Sequence, residues 1–275
     1  MTKHIHQSAS EFNNTGLVLL RNGDYDGALD HLRHALQVVK QKLRGCRQTS
    51  NSKHRRSSFV PQVSEFCIDR FDEGFRLQLA QDQLMGRSDE CQDGSSTSFT
   101  TPFVHSNGIP IPHSSATGGC CFSSDTFQDH KICSAIVIFN IGVVLQNQGM
   151  QRSRQPESLK NFQKSKAMAL YQQAHKLLQH SIDAGRPVGI PAIDMLYMAL
   201  LNNIAVLYSN SCYSNSDVLR AHLYFGRLAD FCRSLVTQQH YHSPNIATLM
   251  SHHANHFLRH AETKLLQPFV AAAAA

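Results

Sequence analysis

The strongest constraint in this chain of 275 residues is a pattern that recurs at unequal intervals. In its first copy, Phe12 to Leu36 (FNNTGLVLLRNGDYDGALDHLRHAL), Gly16 is followed by Gly23-Asp24-Tyr25 and then by Ala28-x3-Leu32-x2-Ala35. A second copy starts at Phe139–Gly149 (FNIGVVLQNQG) and continues at Ala167-x3-Tyr171-x2-Ala174. A third starts at Leu200–Tyr208 (LLNNIAVLY) and continues at Ala221-x3-Phe225-x2-Leu228. An asparagine precedes the small residue by two in every copy: Asn14/Gly16, Asn140/Gly142 and Asn203/Ala205. Apolar residues three and four apart describe helix faces, and a small residue on each partner lets two helices cross closely. The pattern predicts an all-α fold, with Gly16, Gly142 and Ala205 facing Ala28, Ala167 and Ala221.

These features resemble the tetratricopeptide (TPR) repeat. Its first helix carries a small residue at the crossing, and its second helix carries Ala-x3-aromatic-x2-Ala. The first copy matches almost throughout, with the Gly-Asp-Tyr turn its most specific element. The later copies are stretched: the interval from Gly142 to Ala167 is about twice that from Gly16 to Ala28. The family's terminal proline is missing from all three, with Lys40 at its place in the first. The resemblance covers roughly residues 9–43, 133–182 and 194–237, under half of the chain. Without it, the same residues describe an antiparallel helical bundle with alanine seams.

The resemblance implies an all-α, TPR-like superhelix of three α-α hairpins. Residues 1–43 form the first, and 132–270 the second, the third and a C-terminal capping helix, all in one solenoid domain. The cap is read from Pro244 and from the apolar side of Asn245–Leu266, which would cover the face a last repeat leaves exposed. Residues 44–131 read as an insert, partly disordered, rich in Ser, Gly and Cys, with prolines at 61, 102, 110 and 112. Two apolar patches, Phe59–Leu79 and Phe103–Pro112, suit short extended segments lying on the helical surface. The sequence is compatible with an insert that stays in solvent and with one that folds back into the groove as a pseudo-ligand.

Charge narrows the function classes. The net charge of +6 is below the single-sign excess of a dedicated nucleic-acid binder. Residues 41–60 nevertheless carry Lys42, Arg44, Arg47, Lys53, Arg55 and Arg56 and no acid. That stretch suits a solvated linker, a basophilic phosphorylation site at Ser57 or Ser58, or a nuclear-import signal. The N-terminal MTKHIHQSASEF has no apolar region of the kind a secretory leader needs, so a cytoplasmic or nuclear setting with reduced thiols is expected. The apolar stretches Ile136–Leu145 and Met195–Tyr208 read as too short or too interrupted to span a bilayer, which points away from a membrane.

No GxGxxG, GxxxxGK[ST], GxSxG, HExxH or paired CxxC occurs, so no catalytic residue, metal ligand or cofactor is assigned. His252, His256 and His260 recur every four residues near the C-terminal end, with His253 beside them. They read as a solvent-facing stripe, and a metal-dependent helical-bundle enzyme is the alternative they leave open. The reading the resemblance implies is a non-catalytic adaptor that binds a peptide segment of another protein in a concave groove. The matching groove positions are Asn13, Asn14, Leu17 and Arg21, then Phe139, Asn140, Val143 and Asn147, then Asn202, Asn203, Val206 and Asn210. A row of asparagines offers donors and acceptors to an extended backbone. The alternatives are that Asn14 and Asn203 bond neighbouring helices, and that the chain is an RNA- or anion-binding repeat using residues 41–60. The oligomeric state is not legible.

Overall fold

The computed structural model describes residues 9–50, 108, 109, 111, 127–151, 156–183, 191–210, 215–237 and 244–266. Over these residues the protein is all-α. Seven helices are described: α1 (Ala9–Arg21), α2 (Tyr25–Ser50), α3 (Phe127–Gln151), α4 (Glu157–Asp183), α5 (Pro191–Asn210), α6 (Asn215–Thr237) and α7 (Pro244–Leu266). Each packs on its neighbours in the sequence, so stacking follows chain order. Two boundaries differ from the sequence reading. Helix α2 runs on to Ser50 and α3 begins at Phe127, both inside the range read as insert. Once a helix is nucleated, each added residue brings its own hydrogen bond, and no proline stands before Pro61 to stop α2.

The turn between α1 and α2 follows from three residues. Gly23 has φ of 77°, a left-handed conformation that side chains with a Cβ avoid. Its N–H donates to Leu20 O at 3.0 Å, and Asp24 N–H donates to Leu19 O at 2.9 Å. This is the hydrogen-bond pair of a Schellman stop, and it satisfies carbonyls that the end of α1 would otherwise orphan. Asp24 then caps α2, its Oδ1 accepting from Gly27 N–H at 3.0 Å.

Small residues set the crossings. A Cβ built on Gly16 would lie 2.9 Å from Leu32 Cγ and 3.2 Å from the Ala28 carbonyl oxygen. On Gly142 it would lie 2.6 Å from Tyr171 Cε1. Gly142 therefore meets Tyr171, one turn beyond the Ala167 that the pattern suggested. The bulky member of the Ala-x3-bulky seam fills the space over the glycine in both pairs. Ala205 and Ala221 are likewise buried in the third pair.

Helices α3 and α5 are buried nearly all round, from Ile136 to Val144 and from Met198 to Leu207 without a break. An all-round apolar helix belongs at the centre. The stretch His130–Met150 is longer than the sequence reading allowed, and by length and composition alone it could cross a membrane. Most of it is buried against the other helices.

Replacing Gly142 with Leu forces Tyr171 out of its seat. It should destabilise the protein by about 1–3 kcal/mol, read as a lower urea midpoint in equilibrium unfolding.

Candidate functional site

On α1, Asn13 and Leu17 stand four residues apart and Asn14 lies beside them; on α3, Asn140 stands two residues before Gly142. The register places Asn14 and Asn140 at the same position of two consecutive units. Between them lies a piece of non-helical chain, Gly108, Ile109 and Ile111, far away in sequence. Ile109 and Ile111 are each only 3% exposed and belong to the same apolar cluster as Leu17, Leu20, Ile136 and Phe139.

The backbone of this segment is held by asparagine side chains. Asn140 accepts from Ile109 N–H at 2.7 Å through Oδ1 and donates to Ile109 O at 2.8 Å through Nδ2. Asn14 does the same one unit away, accepting from Ile111 N–H at 2.9 Å and donating to Ile111 O at 2.8 Å. Asn13 ties the two together: its Nδ2 donates to Ile109 O (3.2 Å) and to Asn14 Oδ1 (3.1 Å), and its Oδ1 accepts from Asn140 Nδ2 (2.8 Å). The network fixes which end of each amide is oxygen, since every alternative would set donor against donor. Residues two apart in an extended chain present N–H and C=O on the same side, which is the spacing the two amides read.

Close approach sets the start of the segment. A Cβ on Gly108 would fall on Leu17 Cδ2 and 3.0 Å from Asn140 Oδ1, so a larger residue there displaces the end of Leu17 and crowds the amide. None of Gly108, Ile109 and Ile111 was singled out from the sequence, although the patch containing them was. The missed signal is Ile-Pro-Ile-Pro over 109–112: a residue before proline is pushed to extended backbone, here at both isoleucines.

The third unit treats the same positions differently. Asn202 and Asn203 are fully buried. Asn202 donates to Asn203 Oδ1 at 3.2 Å, Asn203 donates to Tyr171 OH at 3.4 Å, and Tyr171 donates to Gln146 Oε1 at 2.7 Å. At the other end Asn202 Oδ1 accepts from His260 Nδ1 at 2.8 Å. This polar chain crosses α7, α5, α4 and α3 inside the core. His260 therefore does not face solvent with His252 and His256, as the stripe reading expected. Burial, with Lys264 and His256 nearby, lowers its pKa to about 4. Burial, and then the Arg227 charge, lowers the pKa of His175 as well, its ring stacked on Tyr197 at 5.6 Å.

Of the remaining groove positions, Phe139, Val143 and Val206 are buried, Asn147 is half-buried, and Arg21 and Asn210 are exposed. Phe139 rests on Tyr171, with ring centroids 5.5 Å apart. Ser57 and Ser58 lie outside the described residues. Among the described residues no three His, Cys, Asp or Glu side chains are arranged to hold a metal. An open cleft between α4, α5 and α6, lined by Lys164, Met168, Tyr208 and Asp217 among others, lies apart from the asparagines. No family model matches the chain, and no curated protein and no solved structure does either.

Two outcomes follow. Asn140→Ala leaves the buried N–H of Ile109 without this acceptor and its C=O with Asn13 alone, a loss of about 1–3 kcal/mol. Hydrogen exchange at Ile109 should accelerate while the amides of α6 keep their protection. The histidines set an acid limit. An unfolded chain binds protons at His260 near its ordinary pKa, and the folded chain only near pH 4. Between those values the unfolded state holds more protons, so stability falls as pH is lowered. His260→Gln should flatten that part of a melting-temperature profile taken from pH 7 to pH 4.

Proposed function

We propose that the chain is a TPR-like solenoid acting as a non-catalytic adaptor, one that holds an extended peptide segment of another protein along α1, α3 and α5. The observation that carries this reading is the pairing of Asn14 and Asn140 with the backbones of Ile111 and Ile109. Side-chain amides that bond N–H and C=O of alternate residues grip a backbone whatever its side chains, while apolar surface beside them selects among sequences.

Three further features support it. The seven described helices divide into three pairs with recurring Gly or Ala crossings, followed by a last helix. Contacts recur along one row of helices, from α1 to α3, from α3 to α5 and from α5 to α7. That row carries Asn14, Asn140 and Asn203. The described groove side chains hold a single cation, Arg21, so an internal segment suits this row better than a free C-terminal carboxylate.

A displayed library of random peptides, panned against the full chain and counter-selected on Asn14→Ala/Asn140→Ala, tests the reading. Peptides should be enriched on the parent and lose about 1–3 kcal/mol of binding on the double variant. A library with no ligand sensitive to those two asparagines sinks the proposal.

A further inference from the structure

The segment already seated in the groove carries an imprint of what the groove selects. Gly108 sits where a Cβ would strike Leu17 and crowd Asn140. Ile109 follows with its N–H and C=O on Asn140 and its side chain buried. Two residues further on, Ile111 repeats the arrangement on Asn14. Every polar backbone atom of the two isoleucines is paired, and both side chains are excluded from water. A segment from another protein would reproduce these contacts directly with the same three features: glycine, then a branched aliphatic residue, then another two positions later.

Resting on the adaptor reading above, we infer that the partner is an extended protein segment of the type Gly-(Ile/Val)-Xaa-(Ile/Val), and that Gly108–Ile111 is a built-in competitor it displaces. The competitor belongs to the chain it blocks. A tethered segment acts at an effective concentration of the order of millimolar, so it masks the groove from ligands of ordinary affinity. Binding in trans therefore requires that the internal segment leave, and the chain then binds far below its intrinsic strength. Residue 110 is proline, with no N–H to satisfy, so a partner has latitude there. The glycine and the two isoleucines are more constrained, because a Cβ at the first meets Leu17 and both isoleucine side chains are buried.

The probe is a fluorescent peptide with the sequence of residues 103–114, FVHSNGIPIPHS. It is titrated into the full parent chain and into the full Gly108→Leu chain, whose own segment no longer fits. Binding should tighten by about tenfold or more on the variant. The same peptide with leucine in place of its glycine, or serine in place of both isoleucines, should bind neither chain. Equal affinity for parent and variant overturns the inference, as does equal binding of the glycine-free peptide. Should Gly108→Leu fail to fold, hydrogen exchange on the parent reads the same event. With the peptide at about 1 mM, the Ile109 and Ile111 amides of the chain should lose protection. Protection that is unchanged overturns the proposal, whether or not the peptide binds. The library selection separates this failure from that of the adaptor reading. Ligands that depend on Asn14 and Asn140 but lack the glycine and branched residues overturn only the present inference, whereas no asparagine-dependent ligand at all removes both.

Discussion

A non-helical backbone inside a helical bundle has no ladder of its own, and each buried N–H or C=O left bare costs about 1–3 kcal/mol. Three asparagines remove that cost for the segment between α1 and α3. They form one network with the segment, so none of its members is optional. Asn13 itself donates to Ile109 O, and it fixes Asn14 and Asn140 in the rotamers that hold Ile111 and Ile109. α1 meets α3 far less than it meets α2, and within that small contact Asn13 and Asn140 bond each other directly.

The same helix position does two jobs in one molecule. In the first two units the asparagine faces a foreign backbone. In the third it faces neighbouring helices, linked through Tyr171 to Gln146 and through Asn202 to His260. The full burial of Tyr171 strongly disfavours its phenolate, so it stays a hydrogen-bond donor at any ordinary pH. A chain of neutral groups in a core specifies register: sliding α5 by one turn against α4 would break several hydrogen bonds at once.

Much of this was legible in the sequence, and the division is physical. Small-residue spacing and the three-four periodicity are local, so the all-α fold and the crossings at Gly16 and Gly142 could be read directly. The asparagine row was legible for the same reason, since helix pitch alone puts Asn14 and Asn140 at equivalent places. What escaped was set at long range. The ring over Gly142 belongs to Tyr171, one turn beyond Ala167, because side-chain direction along a helix shifts the contact. His260 was read with the exposed histidines because i, i+4 spacing shares a face, but α7 wraps that edge against Asn202. Ile109 and Ile111 are too few to give any periodicity; only the prolines after each mark them.

Asn14 and Ile111 are 97 positions apart, and α2 and α3 are joined through everything between. The entropy of closing such a loop rises only with the logarithm of its length, about 0.6 kcal/mol for each doubling. A single residue added between Ile109 and Ile111 is another matter, since it puts the two isoleucine side chains on opposite sides of an extended chain. From Ile109 to Ile111 the spacing is fixed by the two amides that hold the backbone at both ends, Asn140 and Asn14.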